Sequence, residues 1–450
     1  MSDYLEKPRT SCALGGALAT VNALPRTVGI LHASVGCGGM ASAALNAGAG
    51  YLGSSYCGGT STPTSGISEK EIVFGGNERL EEQIKHTSEI IDADLFVVIT
   101  GCTSEIVGDD VNAVVRDYND ANEGDKAPVI LASGAGFKGD SLFGYDSVLQ
   151  AIFSDYVLPQ KEKKKGVVNI WGVPPAQDPF FEGNLIEIRR LLDKLDIKSN
   201  SFFIIEDSLE NIKKASEAEL NIVLSAFNGV KAAKTAEDLH GIPYWITNLP
   251  VGAKATEVFL KELGEKLGLD PQKIEAVVTS EKKEYYRFFN RIADIYSDID
   301  LQRYSVIIGD INYSYALSKF VKEELGWISK LVVVTDQVLD EQKEELLNRF
   351  KDVFTEPEKV VAFETDTSQV SPLLFERWPK PDGSKYYRAF SPAFVIGSRL
   401  DKEFADSIGA GHLSVSYPVS NRAILNTGYT GFHGGLHLIE DIYTSILSAR

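Results

Sequence analysis

The sequence predicts an α/β protein built from two to three doubly wound, Rossmann-like domains with parallel sheets. Apolar runs rich in Val and Ile recur along the chain, which is typical of strands buried on both faces of a parallel sheet. Helical stretches separate most of these runs, and this alternation favours βαβ units with right-handed crossovers. A chain of 450 residues is also too long for one hydrophobic core.

The individual elements follow from the apolar runs and from the period of the apolar positions between them. The predicted strands are residues 95–100, 129–132, 167–171, 202–205, 222–224, 306–309, 331–335 and 360–363. The predicted helices are residues 77–91, 184–195, 256–267, 282–295, 313–325, 340–350 and 434–447. Composition changes at the lysine-rich stretch 161–165 and near residues 296–302. We therefore predict a cysteine-bearing domain at 1–160 and two α/β domains at 161–300 and 301–450.

The net charge excludes one class of partner and favours another. The formal charge of −18 repels phosphate backbones, and no cluster of Lys and Arg offsets it, so the sequence predicts no binding to nucleic acid. An acidic surface instead suits a partner with a basic docking patch. The chain shows no basic start followed by an apolar run, and no stretch of about eighteen apolar residues. We expect a cytoplasmic protein that does not bind membranes.

All four cysteines lie in the first quarter of the chain, which is the first sign of a local site. In a reducing cytosol such thiols are metal ligands or buried residues rather than disulfides. Cys12, Cys37 and Cys102 each stand among glycines and other small residues. Such neighbours let the backbone approach an iron-sulfur cluster and direct N–H groups at its sulfides. Cys102 also follows a predicted strand, where ligands of doubly wound folds collect.

The other candidates near these cysteines are weaker. Cys57 lies in a loop rich in Gly, Ser and Thr, where it either completes a four-thiolate set for a 4Fe-4S cluster or is a bystander thiol. Glu105, Asp109 and Asp110 follow Cys102 in the same loop. We interpret these carboxylates as capping groups of the next helix rather than metal ligands.

Three further motifs do not predict a separate site. A G-x-G-x-x-G string begins at Gly48 without a preceding strand, and a second begins at Gly134 without the acidic residue that a dinucleotide site requires. Asp140 stands where a phosphate loop needs lysine, so we expect no ATP hydrolysis by this chain. His433 and His437 have a helical spacing but no third ligand close in sequence, and we interpret them as ordinary helix or core residues.

Five strings, in this order, resemble the component 1 subunits of nitrogenase and of nitrogenase-like reductases. They are VGCG at 35–38, EKEIVFGG at 69–76, CTSEIVGDD at 102–110, GFKGDSLFGYD at 136–146 and GYTGFHGGLHLIED at 428–441. The likeness covers nearly the whole chain. Such a linked set is specific for the superfamily but not for a substrate.

The resemblance implies an iron-sulfur cluster at the interface of two related subunits. In that family three cysteines of each subunit hold the cluster, and Cys12, Cys37 and Cys102 stand at those positions. A serine of the β-type subunit also reaches the nitrogenase P-cluster, and here Asp140 stands at that position with Ser141 beside it. The resemblance therefore implies Asp140 and Ser141 as candidate oxygen ligands. It implies an 8Fe-7S P-type cluster, with a 4Fe-4S cluster as the alternative.

The resemblance also implies a role for the chain in a larger complex. The α-type subunit holds its catalytic cofactor through one Cys and one His, and here Ser225 and Thr430 stand at those positions. This implies a β-type subunit that relays electrons from an ATP-hydrolysing 4Fe-4S iron protein to a cofactor in an α-type partner, within a heterotetramer.

The substrate and the kind of complex stay open. The chain lacks the Arg- and His-rich run that follows the second cysteine of typical nitrogenase β subunits, which implies a nitrogenase-like reductase. Its substrate would be nitrogen or an alkyl thioether. The alternatives are nitrogenase itself, a scaffold for cofactor assembly, a tetrapyrrole reductase with a 4Fe-4S cluster, and a binding protein of related fold without metal.

Overall fold

The computed structural model describes residues 5–51, 62–160, 162–296, 301–378, 390 and 392–448. It divides into two units, each assembled from separate stretches of the chain. The cysteine unit contains Thr10–Phe181 and Ile197–Ile246. The second unit contains Met1–Arg9, Glu182–Asp196 and Thr247–Arg450.

Strands and helices alternate along most of the described chain. The strands are β1 (Thr27–His32), β2 (Leu95–Thr100), β3 (Val129–Ser133), β4 (Lys164–Trp171), β5 (Lys198–Asn200), β6 (Ala218–Val223), β7 (Tyr244–Ile246), β8 (Tyr304–Gly309), β9 (Ile328–Val334), β10 (Val361–Phe363), β11 (Ala393–Gly397) and β12 (Gly411–Ser414). The helices are α1 (Ala13–Ala23), α2 (Val35–Gly48), α3 (Glu69–Phe74), α4 (Asn77–Ile90), α5 (Cys102–Val107), α6 (Val111–Ala121), α7 (Ser141–Ala151), α8 (Phe181–Asp193), α9 (Leu209–Lys213), α10 (Val230–His240), α11 (Gly252–Leu267), α12 (Pro271–Phe289), α13 (Ala293–Tyr296), α14 (Ile311–Glu323), α15 (Asp340–Arg349), α16 (Val370–Arg377), α17 (Lys402–Ser407) and α18 (Gly431–Ser448). Short 3-10 and π turns are left unnumbered.

Two parallel sheets belong to the cysteine unit. The first has the strand order β1-β2-β3, and the second has the order β5-β4-β6-β7. Every residue of β2 is buried, as expected for a central strand that is covered on both faces. Ile30, Phe96 and Val98 of the first sheet pack with Leu80 and Ile84 of α4. This core holds the carboxyl ends of β1, β2 and β3 in fixed positions.

The second unit contains a five-stranded parallel sheet of order β10-β9-β8-β11-β12. Its core includes Val306, Val333 and Val395 from three neighbouring strands. Asp310 follows β8 and begins α14 by accepting a 3.0 Å hydrogen bond from the Tyr313 N–H. Strand pairs are parallel in all three sheets of the described residues, so the predicted α/β class with parallel sheets is confirmed.

The predicted strand at residues 202–205 is wrong. Phe202 has a φ of 72°, in the left-handed region that a strand does not use. The carboxylate of Asp207 accepts hydrogen bonds from the N–H and the hydroxyl of Ser201 and from the N–H of Ile204. These bonds fold the apolar run into a buried turn, and β5 pairs with β4 instead.

The domain boundaries at 160 and 300 stay a prediction. In this structure the stretches that share a unit are not continuous in sequence. None of the described helices combines the length and the apolar character needed to cross a membrane.

Candidate iron-sulfur site

The three predicted cysteine ligands lie at the N-terminal ends of helices. Cys12 is the N-cap of α1, Cys37 is the third residue of α2, and Cys102 is the first residue of α5. Helices α2 and α5 follow the paired strands β1 and β2, so Cys37 and Cys102 reach the same edge of the sheet. The N-terminal end of a helix carries partial positive charge, which suits the negative charge of a ligand set placed there.

The structure brings these three cysteines within electrostatic reach of one another. All three thiols are free and exposed. Burial raises the pKa of Cys37, and the negative charges of Cys12 and Cys102 raise it further. Thiolates that repel one another at short range are stabilised by a positively charged group between them, as in a metal site.

Gly136 places backbone directly against two of the cysteines. Its N–H donates a hydrogen bond to Cys102 Sγ at 3.1 Å. A Cβ at this position would lie 3.3 Å from Cys12 Cβ and 3.5 Å from Cys102 Sγ. Hydrogen bonds to ligand sulfurs are one means by which proteins set the reduction potential of iron-sulfur clusters. Gly136 therefore supplies both the close backbone approach and the N–H donor that the sequence predicts for this site.

A close crossing of α1 and α7 sets the position of Cys12. A Cβ on Gly16 would lie 1.9 Å from the carbonyl oxygen of Ser141. A Cβ on Gly144 would lie 2.0 Å from the carbonyl oxygen of Ala13. These are backbone atoms that cannot turn aside, so the crossing requires glycine on both helices. Cys12 begins α1 one turn before Gly16, and the crossing therefore fixes it beside the start of α7.

Asp140 lies beside Cys12, since the two residues pair in an isolated antiparallel bridge. Asp140 is the N-cap of α7, and its carboxylate accepts hydrogen bonds from the N–H groups of Leu142 and Phe143 at 3.0 and 3.4 Å. Burial raises the pKa of Asp140, and these backbone hydrogen bonds oppose the increase. The structure thus brings a partly buried carboxyl group to the edge of the cysteine site.

Ser141 has a different environment from Asp140. Its side chain is buried, and its hydroxyl donates a 2.9 Å hydrogen bond to Gln177 Oε1. Of the two candidate oxygen ligands, Asp140 pairs with a cysteine through its backbone, whereas Ser141 has a protein partner for its hydroxyl. Cys57 lies outside the described residues, so its role as a fourth thiolate stays a prediction.

Of the three carboxylates that follow Cys102, only Asp110 has the predicted capping role. Asp110 caps α6 by accepting a 3.1 Å hydrogen bond from the Ala113 N–H, whereas the prediction is wrong for Asp109 and Glu105, which bond other segments. Asp109 accepts a 2.7 Å bond from the Gly76 N–H and pairs with His32 Nε2 at 2.9 Å. Burial lowers the pKa of His32, although Asp109 acts to raise it. The sequence did not single out His32, because its partner lies 77 positions further along the chain.

Glu105 joins the ends of two strands to the loop that carries Gly136. Its Oε1 accepts 2.6 Å hydrogen bonds from the hydroxyls of Thr100 and Ser133, the last residues of β2 and β3. Its Oε2 lies 2.6 Å from the Lys138 ammonium. Burial acts to raise the pKa of Glu105, but the bonds from Lys138, Ser133 and Thr100 outweigh it and the pKa is lowered. Glu105 is therefore an ionised structural group.

The three cysteines provide the type of donor that an iron-sulfur cluster takes. Within the described residues, no group of three or more His, Cys, Asp and Glu side chains is arranged to hold a metal ion. A single zinc ion needs every thiolate sulfur at about 2.3 Å. A cluster instead distributes its thiolates over several iron atoms that inorganic sulfide separates. Three exposed thiols with a backbone N–H aimed at one sulfur fit the cluster.

The other sequence motifs have structural explanations. The loop between β3 and α7 contains the string that begins at Gly134, and this loop presents Gly136 to the cysteines. The string that begins at Gly48 continues beyond the described residues. His433 Nδ1 lies 3.3 Å from Glu187 Oε2, which raises the pKa of His433 through a hydrogen bond. His437 Nδ1 contacts a backbone carbonyl oxygen at 3.3 Å.

The two positions that resemble cofactor-ligand positions carry buried hydroxyl groups. In the cysteine unit, Ser225 Oγ accepts hydrogen bonds from the N–H groups of Phe227 and Asn228 at 3.1 and 2.9 Å. In the second unit, Thr430 Oγ1 donates a 2.8 Å hydrogen bond to the carbonyl oxygen of Asn184. The Ser225 hydroxyl therefore stabilises the backbone that follows it, and the Thr430 hydroxyl bonds the backbone of a distant stretch of the chain.

Exposed apolar side chains occur on the same segments as the cysteines. Val35 and Met40 of α2 are 71% and 75% exposed, and Ile106 of α5 is 74% exposed. Phe74, which ends α3, is 82% exposed, and Phe137 beside Gly136 is 60% exposed. Large apolar side chains that are exposed together mark a protein contact surface.

The fold and this site define a parallel α/β protein with a cysteine-lined candidate metal centre. The sequence profile of the family described as nitrogenase component 1 type oxidoreductase matches residues 12–447. The chain therefore belongs to this family of oxidoreductases.

Individual relatives agree with this assignment. The chain is 26% identical over 341 residues to the nitrogenase molybdenum-iron protein beta chain of Sinorhizobium fredii, covering 71% of this chain and 62% of that protein. It is 23% identical to a light-independent protochlorophyllide reductase component of Heliobacterium modesticaldum, covering 85% of this chain and 68% of that one. The solved structure "Nitrogenase Cp1 at pH 6.5" superposes with a TM-score of 0.81 at 22% identity, covering all of this chain and 94% of that chain. The last comparison confirms the fold, and the Sinorhizobium fredii relative is named a beta chain.

Proposed function

We propose that this chain is the β-type subunit of a nitrogenase-like reductase, in which Cys12, Cys37 and Cys102 hold half of an interface iron-sulfur cluster. The observation that carries the proposal is the position of three free, exposed thiols at the N-terminal ends of three helices, with Gly136 against Cys12 and Cys102 and with Cys37 within electrostatic reach of both. Membership of the family supports it, since the resemblance implies three such cysteines in each subunit.

In this proposal the residues of this chain hold and polarise the iron-sulfur cluster and do not react themselves. When bound, the cluster accepts and releases single electrons. The three cysteines stand at the starts of α1, α2 and α5, where the partial positive charge of the helix ends suits an anionic cluster. The Gly136 N–H donates to Cys102 Sγ, which offsets negative charge on that sulfur. The glycine crossing of α1 and α7 keeps Cys12 in a fixed position.

The second half of the cluster site comes from an α-type partner in this proposal. The exposed thiols and the apolar side chains of α2, α3 and α5 support such a contact, because water would otherwise cover both. Electrons arrive from an ATP-hydrolysing iron protein in the cytoplasm. The charge of −18 suits a donor with a basic docking patch.

The catalytic cofactor belongs to the partner in this proposal. Ser225 and Thr430 replace the implied Cys and His, and both hydroxyls are engaged in hydrogen bonds with backbone groups. Nitrogen and alkyl thioethers are the substrate classes that the resemblance implies. The role of this chain is then electron relay through a P-type cluster.

A tetrapyrrole reductase with a 4Fe-4S cluster is the second candidate. Asp140 favours it, because a carboxyl group beside Cys12 can complete a set of four ligands with the three cysteines. The likeness to a light-independent protochlorophyllide reductase supports the same candidate.

Iron and sulfide counts on the anaerobically copurified complex test both candidates. About eight irons per pair of subunits support the P-type cluster, and about four support the second candidate. A complex without iron would contradict both. Cys37→Ala should lower the iron count, and Cys57→Ala reports separately on the fourth cysteine.

A further inference from the structure

We propose that the Lys138–Glu105 ion pair is a positioning device that holds the Gly136 N–H on the Cys102 sulfur and thereby sets the reduction potential of the bound cluster. The inference rests on the proposed function, because it concerns the same cysteine site. It assigns a role to two residues outside the proposed ligand set.

Glu105 is the fixed partner of the ion pair and lies one helical turn after Cys102 on α5. Two short hydrogen bonds fix its carboxylate to Thr100 and Ser133, at the ends of adjacent strands. The carboxylate therefore has no freedom to move relative to the helix turn that carries the sulfur. It offers its second oxygen to the loop between β3 and α7.

The loop end of the device is Lys138, two residues after Gly136. Its ammonium bonds Glu105 Oε2 at 2.6 Å and the Ser133 hydroxyl at 3.0 Å. Its backbone N–H donates to the carbonyl oxygen of Ala135 at 2.9 Å, which closes a turn around Gly136. At the other end of this turn, the Gly134 N–H donates to the Thr100 hydroxyl oxygen at 3.3 Å, so the N–H that reaches Cys102 Sγ lies between two ties to the strand ends.

The ion pair contributes little to folding, which makes its effect on the sulfur measurable. Lys138 is 42% exposed, and exposed ion pairs of this kind stabilise proteins by only about 0–1 kcal/mol. Its loss should leave the fold intact while the loop moves away from Cys102. A weakened N–H bond leaves more negative charge on the sulfur and lowers the reduction potential.

Two variants of opposite charge separate positioning from a simple charge effect. Lys138→Met removes a positive charge, and Glu105→Gln removes a negative one. In Glu105→Gln the amide oxygen still accepts hydrogen bonds from Thr100 and Ser133. The amide NH2 group then faces the Lys138 ammonium, and because both groups are hydrogen-bond donors the pair is lost. A through-space charge effect shifts the two potentials in opposite directions. Positioning lowers both.

The experiment is a potentiometric titration of the copurified complex, followed by electron paramagnetic resonance. We expect both variants to shift the ratio of reduced to oxidised cluster by roughly tenfold at a fixed potential, or about 59 mV for one electron. Lys138→Arg, which keeps the pair, should stay near wild type. Lys164→Met is the matched control, since Lys164 makes a 2.6 Å pair with Glu217 beside the second sheet. Shifts of opposite sign, or no shift, would overturn the proposal.

Hydrogen exchange of the backbone amides is a second test of the proposal. It requires neither enzyme turnover nor the Glu105→Gln variant. In Lys138→Met, the peptide that contains Gly136 should exchange faster than in wild type and in Lys164→Met. Equal exchange in the three proteins would overturn the proposal. A wild-type complex without iron would refute the proposed function instead, and the exchange measurement would still decide whether Lys138 holds the loop.

Discussion

Replacing Gly16 by alanine should displace Cys12 and release iron, because α1 and α7 cross at backbone contact. The new Cβ would lie 1.9 Å from the Ser141 carbonyl oxygen and 2.5 Å from the Ser141 carbonyl carbon and Cα. Ordinary contact begins at 3.4 Å, so the two helices must separate by 3.4 minus 1.9, or about 1.5 Å. The N–H of Gly16 bonds the carbonyl oxygen of Cys12 at 3.2 Å, so Cys12 moves with its helix.

A movement of this size exceeds what a metal site tolerates, since ligand distances vary by only about 0.2 Å. Overpacking of a buried crossing costs about 2 kcal/mol, which corresponds to a fall of roughly 4–8 °C in the melting midpoint. Alanine is a better helix former than glycine by about 1 kcal/mol, but this gain does not remove the clash. We expect Gly16→Ala to lose most of its iron and to melt lower.

The assay is iron content per chain in the anaerobic complex, with thermal unfolding measured in parallel. Gly39→Ala is the matched control, because it makes the same change in α2 where a Cβ would meet nothing within 4 Å. If Gly16→Ala kept as much iron as Gly39→Ala, the assignment of the crossing as the support of Cys12 would be refuted.

Three further predictions concern stability and ligand choice. Burial raises the pKa of Asp146 to about 6, whereas its value in the unfolded chain is about 3.9. As pH rises through this interval, ionisation of Asp146 therefore lowers the stability of the folded state by about 3 kcal/mol. Asp146→Asn should therefore melt above wild type at pH 7.5 and by much less at pH 4.5, and an equal difference at both pH values would contradict this reasoning. Arg9→Met leaves the buried carboxylate of Asp401 without its ion-pair partner and should lower the free energy of unfolding by about 3–5 kcal/mol. Adding Asp401→Asn should restore most of this stability, and thermal unfolding measures both effects. Ser141→Ala should keep its iron and lose only stability, because its hydroxyl bonds Gln177, whereas Asp140→Asn should change the iron count or the cluster spectrum.

The sequence predicted most of the longer buried strands, but it missed β11, which the structure buries completely. β2 is apolar up to its last residue, Thr100, and the structure buries every residue of it. β1 was not predicted because it contains Gly29 and ends in His32. β5 and β7 were not predicted because each has only three residues. α1 was also not predicted, because a helix buried nearly all round shows no apolar face at a period of 3.6 residues.

The sequence predicted the cysteines of the candidate site but not the residues that hold them in position. Glycines next to the cysteines in sequence predicted close backbone approach, but the backbone that lies against the cysteines is that of Gly136, which is next to none of them in sequence. Which N–H reaches which sulfur depends on the path of the loop after β3, and a pattern of residue types does not determine that path. The His32–Asp109 and Lys138–Glu105 pairs join side chains from different segments, so only the folded chain brings them together.

The most direct test of the account is diffraction at the iron absorption edge from anaerobic crystals of the copurified complex. The account predicts one iron peak at the interface with the partner, contacted by the sulfurs of Cys12, Cys37 and Cys102 together. An iron peak that lacks any of these three sulfurs, or no iron in the cysteine unit, would contradict it.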